Sequence, residues 1–306
     1  MKTDGEFALS LIVMALKKSA AGAEVFQKVS RKLSVEVKSG EVEAVETSLT
    51  SGYGLRVIKD GRPGFSYSTD IAESQYVVDT ALEISGYADR DEFLDLPGPS
   101  EPEKVDVFDP AVSSITETDA IEKALLVEQS AFTADKKIKK TRNAEVSFYE
   151  SETLIVNSKG VLQSYRSTFC SAHIMAVAED RGEAQMGWDY QGGMFLSDVS
   201  FKDVGAVAAK RALGMLGARK TNPVKGHVLL ENLVAAEFLS VFSSMLSSEA
   251  VQKGKSLLKD RRGSKVVSDR LDIIDDGLLE HGPGTRAVDD EGVPVRRNVL
   301  IKNGVL

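Results

Sequence analysis

The sequence predicts an α+β fold in which mixed sheets carry packed helices. Three observations lead there. Runs with the two-residue alternation of half-buried strands come in groups. Stretches with helical spacing flank those groups. Glycine-bearing turn signals join one alternating run to the next, as hairpins require.

In chain order, residues 5–20 read as an amphipathic helix. Leu33, Val35 and Val37 then face one way, and Lys38-Ser39-Gly40-Glu41 turns into a strand through Val42 and Ala44. Tyr53, Leu55 and Val57 form another run, turned by Lys59-Asp60-Gly61-Arg62. Residues 70–86 return to helical spacing, so the first hundred residues read as helix, strands, helix. A second helix-forming stretch runs from Asp119 to Ala134. Residues 144–190 are strand-rich, with turns at Asn157-Ser158-Lys159-Gly160 and Arg181-Gly182. Residues 201–217 form a helix rich in Ala, Val and Leu.

The segment Leu96-Pro97-Gly98-Pro99-Ser100-Glu101-Pro102 is the best linker candidate. The expected division is therefore an N-terminal α+β region (1–95), a linker (96–115), a central strand-rich region (116–222) and the start of a C-terminal region (223–306).

The 306 residues leave room for a sizeable core, and 42% hydrophobic with 27% charged content is ordinary for a globular chain. A formal net charge of −8 disfavours broad nucleic-acid binding. The single cysteine, Cys170, allows no intrachain disulfide and fits a reducing cytoplasm. The start lacks a basic leader region, and no apolar run reaches the roughly 18 residues needed to span a membrane.

Few side chains suggest chemistry. His173, His227 and His281 lack the spacing of helical zinc ligands, and a structural or surface role is expected for each. Cys170 and His173 lie three apart on one strand and point to opposite faces, so they form no nucleophilic dyad. Asp272, Asp275, Asp276 and Asp289-Asp290-Glu291 read as turn and capping residues rather than a cation site. Gly52-Tyr53-Gly54 and Gly192-Gly193 read as turns or bulges, too brief to cradle phosphate.

The last eighty residues are more specific. A short strand, His227 to Leu230, precedes a helix from Asn232 to Ser248 that is apolar on most faces and should be buried. Glu237 is its polar exception. Val299-Leu300-Ile301 and Asn303-Gly304 read as strand and turn, with Val305-Leu306 beginning a return strand that lacks a partner. The chain thus reads as lacking a C-terminal segment.

The strings Glu249-Ala250-Val251-Gln252-Lys253-Gly254-Lys255-Ser256, Ile274-Asp275-Asp276 and Asp289-Asp290-Glu291-Gly292-Val293-Pro294 stand here in fixed order, followed by Asn298 to Leu306. Together they resemble the C-terminal part of the TldD/PmbA family, the "modulator of DNA gyrase" proteins also described as two-subunit metalloproteases. The resemblance implies a TldD/PmbA-like fold. In the metal-bearing subunit of that family a helix carries H-E-x-x-x-H, whose imidazoles hold zinc beside a Glu general base. Counting back from Glu249, those positions fall on Leu239, Ser240 and Ser244. Leu cannot ligate zinc, and a neutral Ser is a poor ligand and a poor base.

The resemblance therefore implies the metal-free, PmbA or TldE kind of subunit, without a cofactor of its own and with zinc expected in a TldD-like partner. Its work would be to complete the chamber of a cytoplasmic heteromeric metalloprotease acting on unfolded peptides or peptide precursors. Glu237, Ser240 and Ser244 are the candidates to face peptide or partner. A free sheet edge around Val161 to Ala178 would suit an extended peptide. The alternative is a non-enzymatic regulatory protein of the gyrase-modulator type, acting alone or as a homodimer. An independent hydrolase using Cys170 or a serine finds no Ser-His-Asp pattern to support it.

Overall fold

The computed structural model describes residues 3–306, which divide into two compact units. The first holds residues up to Ala218 together with Leu278–Val295, and the second holds Arg219–Gly277 with Arg296–Leu306.

The first unit is built on one six-stranded antiparallel sheet in the order β3-β2-β1-β4-β5-β6. The strands are β1 (Gly22–Lys38), β2 (Glu41–Lys59), β3 (Arg62–Ser68), β4 (Ile138–Asn157), β5 (Leu162–Asp180) and β6 (Glu183–Gly193). The helices are α1 (Gly5–Lys17), α2 (Ser74–Ser85), the single turn α3 (Pro110–Ser113), α4 (Glu117–Ala134) and α5 (Phe201–Met215). The class is α+β, and every strand pairing is antiparallel. Because β1 pairs with β4, strands from both sides of the proline-rich stretch share one sheet.

Local chemistry sets the joints. Three of the hairpin turns place both central residues at positive φ: Ser39-Gly40, Asp60-Gly61 and Arg181-Gly182. That backbone follows the right-handed twist of the strands it joins. The fourth turn is fixed by Asn157, whose Oδ1 accepts the N–H of Lys159 at 2.9 Å and of Val161 at 3.1 Å. Asp4 caps α1 by accepting from Glu6 and Phe7, and Thr116 with Asp119 forms a capping box at α4.

Strand alternation gives the sheet two unlike faces. On one, Ala23 and Val25 of β1 pack with Leu55, Val57, Leu154 and Val156 beneath α1 and α2. Farther along, Leu33, Val35 and Val37 pack with Val146, Phe148, Cys170 and Ile174 beneath α4 and α5. Both helix pairs thus cover the same face. Two close approaches need glycine. A Cβ on Gly205 of α5 would stand 2.0 Å from the Val127 carbonyl of α4, and one on Gly187 of β6 would stand 2.2 Å from the Ala212 nitrogen of α5.

Two expectations change in this unit. Gly52, Gly54, Gly192 and Gly193 lie in paired strands with unbroken register and are neither turns nor bulges. Their small size admits neighbours instead: a Cβ on Gly54 would meet the Phe65 ring at 2.9 Å, and one on Gly193 would meet Asp198. Only part of Val161 to Ala178 is a sheet edge, the Leu162–Phe169 half that β6 does not reach. β5 pairs with β4 along its length and with β6 over Cys170–Asp180. The edges are β3, β6, the Glu41–Gly52 half of β2, which β3 does not reach, and the Leu162–Phe169 half of β5, which β6 does not reach.

The second unit holds α6 (Asn232–Ser243), a 3-10 turn (Ser244–Leu246), α7 (Ser248–Gln252) and the two-stranded sheet β7 (Ile273–Asp276) with β8 (Arg297–Ile301). Four expectations are corrected here. Residues 227–230 form no strand and are exposed, because no strand among the described residues pairs with them. The helix expected over 232–248 breaks near Ser244. The Ser243 and Ser244 hydroxyls bond back to the carbonyls of Ser240 and Val241, and Ser247 adopts extended backbone to cap α7. No residue of α6 is buried, and Phe238 is 64% exposed, since within this unit no element lies across its apolar face. Finally, Val305 and Leu306 do find a partner: Gly263 donates to the Leu306 carbonyl, Leu306 donates to Ser264, and Val305 bridges Lys265.

Candidate functional site

The face of the sheet turned away from the helices is a concave cavity of about 1350 Å³. The positions that alternate with the buried aliphatics line it. They include hydroxyls from Ser30, Ser147, Ser151 and Ser167 and rings from Phe26, Tyr149, Phe169 and Tyr190. Phe65 and Tyr67 of β3 form one wall, their rings stacked at 6.1 Å. Ser30 and Ser151, paired across β1 and β4, share a hydrogen bond of 3.0 Å on the floor. Such a surface offers apolar ring faces and adaptable donors and acceptors without a dominant charge.

One end of the cavity is walled by a hairpin from residues 287–295, which contributes Asp290 and Glu291 to the lining. Val295 donates to the Ala287 carbonyl and Asp289 to the Val293 carbonyl. The Asp289 carboxylate accepts the N–H of Glu291 and of Val293, each at 2.9 Å, so it shapes the turn. Gly292, at φ 78°, brings the hairpin against the Val161 side chain, where a Cβ would stand 2.6 Å from Cγ1. Arg56 of β2 donates to Glu291 at 2.5 Å. On its other side Arg56 Nη2 lies 3.0 Å from Glu24 Oε1 without the alignment of a hydrogen bond. Glu24 is only 5% exposed. Burial pushes its carboxyl up to about 7; Arg56 opposes that rise, and Glu291 and Asp289 add to it.

The other titratable candidates are structural in their surroundings. Cys170 faces the helix side, buried, with its Sγ 3.4 Å from the Phe195 carbonyl, and burial pushes its thiol up to about 12. His173, opposite Tyr190 in the register, lies three residues along the same strand. His281 pairs with Asp198 at 2.6 Å beside the Phe195 ring. In the second unit Asp272 accepts the Asn303 N–H at 2.6 Å, while Asp275 and Asp276 pair with Asn298 and Arg297 across β7 and β8.

Glu237, Leu239 and Ser240 lie exposed on α6, and Ser244 lies exposed at the start of the 3-10 turn, its hydroxyl donating to the Val241 carbonyl at 2.7 Å. A zinc site needs nitrogen, thiolate or carboxylate donors. Leu239 has none and the two serines are neutral, so the side chains at these positions do not fit a zinc ion. Among the described residues no three His, Cys, Asp or Glu side chains group to hold a metal. No helix among them is long and apolar enough to cross a membrane.

Sequence reasoning missed the cavity and its Glu24–Arg56–Glu291 wall. A signal was there: opposite the apolar Val146 and Phe148, the strand carries Ser147, Tyr149 and Ser151, where a solvated face usually carries a run of Lys and Glu. The Arg56–Glu291 pair spans 235 residues and leaves no local signature.

The architecture belongs to a known class. A putative modulator of a DNA gyrase from Thermotoga maritima superposes with a TM-score of 0.88 at 22% identity, covering 99% of this chain and 70% of that one. TldE from Thermococcus kodakarensis gives 0.79 at 20% identity, covering 98% and 68%. The fold is thus TldD/PmbA-like. Family models for the PmbA/TldA metallopeptidase match in three parts: domain 1 over residues 23–85, the central domain over 110–216 and the C-terminal domain over 223–306. Metalloprotease PmbA of Escherichia coli O157:H7 is 30% identical over 98% of this chain and 68% of its own length. A PmbA homolog of Buchnera aphidicola is 33% identical over 94% and 65%. The chain belongs to the PmbA/TldD metallopeptidase family, and spans about two thirds of the length of these relatives.

Proposed function

We propose that this chain is the metal-free subunit of a heteromeric, cytoplasmic peptidase of its family, and that it completes the chamber in which a zinc-bearing TldD-like partner cleaves unfolded peptides or peptide precursors. The observation that carries this reading is the set of side chains at 239, 240 and 244, none of which can supply zinc ligation or a general base. The concave, ring- and hydroxyl-lined face of the sheet supports it, because such a surface accepts an extended chain with little demand on its sequence. Under this reading zinc belongs to the partner, and Glu237, Ser240 and Ser244 face peptide or partner.

The test is hydrolysis of an unstructured peptide by this chain, by a zinc-bearing homologue and by the two mixed. Activity absent from this chain and raised by mixing is the expected result. Hydrolysis by this chain alone would refute it. A homodimer that binds gyrase without the homologue would favour the non-enzymatic regulatory reading instead.

A further inference from the structure

The contact between the 287–295 hairpin and the sheet has one unbalanced element. Its apolar part is complete: Val288 is buried and Gly292 rests on Val161. The hairpin's backbone hydrogen bonds close within itself, so it can move as a unit. The charged part is frustrated. Glu24 is more than nine-tenths buried, yet its Oε2 has no hydrogen-bond partner, and neither do Arg56 Nε and Nη2. Two carboxylates, Glu24 from β1 and Glu291 from the hairpin, compete for one guanidinium.

The groups facing Glu24 can be named. Arg56 comes from β2. Asn157, its register partner on β4, is uncharged. The hairpin contributes Glu291 and Asp289, while Asp290 is engaged by Arg286 at 3.1 Å. With Glu24 neutral the contact is a single Arg56–Glu291 ion pair. With Glu24 ionised, its buried charge shares the one Arg56 guanidinium with Glu291 and stands against the two hairpin carboxylates, and a buried charge whose partner is shared is costly.

We propose that Glu24 is a proton-controlled catch for this hairpin, which closes the end of the concave cavity while Glu24 is protonated and lifts from the sheet when Glu24 ionises. The sign follows from linkage. Glu24 is buried with the hairpin in place, and docking adds the negative charges of Glu291 and Asp289, which raise its carboxyl further, so proton uptake favours the docked hairpin. The hold is full below the ordinary carboxylate range and is lost as pH rises through about 7. The device stands whether or not the cavity takes peptide.

A thiol beneath the hairpin reads the motion. Val161→Cys is introduced into the full chain, and its alkylation rate is divided by that of the same chain unfolded at the same pH, which removes the thiol's own titration. Protection should fall about tenfold between about pH 6 and pH 8.5, the size of one unit of coupled pKa. With Glu24→Gln added, protection should stay high at both pH values. With Glu291→Gln added instead, it should be low at both. In each sample an unreactive Cys170 reports that the sheet is folded. Constant protection in the Glu24 chain, an equal fall in the Glu24→Gln chain, or an unchanged profile in Glu291→Gln would overturn the proposal.

Discussion

Glu128 of α4 accepts the backbone N–H of Gly40, in the β1–β2 turn, at 2.7 Å across 88 residues of sequence. Its other oxygen accepts from Ser39 at 2.8 Å and from the Thr141 hydroxyl. One buried carboxylate thus satisfies two turn amides and ties a helix to the end of the sheet. Glu128→Ala should lower unfolding stability by about 2–4 kcal/mol, because it strands buried donors. Glu128→Gln, which keeps one acceptor oxygen, should cost less. Denaturant titration with an unchanged m-value checks both.

Gly205→Ala should destabilise the chain by about 3 kcal/mol or more, since α4 and α5 cannot both keep their places around a Cβ 2.0 Å from a carbonyl oxygen. Gly214→Ala, on the same helix with nothing within 4 Å, should be neutral or stabilising. Equal thermal midpoints for the two variants would contradict the packing described for α5.

The sequence showed what is local. Ser39-Gly40, Asp60-Gly61 and Arg181-Gly182 announced their hairpins because positive φ selects such residues. The helices over 5–17, 74–85, 117–134 and 201–215 answer to the helical spacing read over 5–20, 70–86, 119–134 and 201–217. The unbroken length of β2 was hidden, because Thr47 to Gly54 carries Ser, Thr and Gly where an aliphatic alternation would have marked a strand. The end of α6 was hidden for the opposite reason. Apolar residues continue past Ser244, while the break is made by serine hydroxyls and the capping role of Ser247. Of the site, Leu239, Ser240 and Ser244 were legible only through resemblance. The cavity wall was not, since Glu24, Arg56 and Glu291 meet only when distant strands and the hairpin come together.

The Glu24 titration can be followed by carboxyl carbon NMR. Its midpoint should lie near pH 7. Arg56→Met should move it up, because Arg56 stabilises the ionised form, and Glu291→Gln should move it down. Shifts in the reverse directions would contradict the cluster's geometry.

Cys170 should resist alkylation at about pH 8, where an exposed thiol is partly ionised, because burial holds its thiol up to about 12. Reaction should become rapid only on unfolding. Fast modification of the folded chain would place Cys170 outside the core under α4 and α5.

The proposed metal-free role rests on Leu239, Ser240 and Ser244. Zinc content measured on this chain alone, after equilibration with zinc and removal of excess, tests it most directly. Well under one zinc per chain is expected, with no change when Ser240 and Ser244 are replaced by alanine. One tightly held zinc per chain, lost in the Ser240→Ala or Ser244→Ala variant, would contradict it.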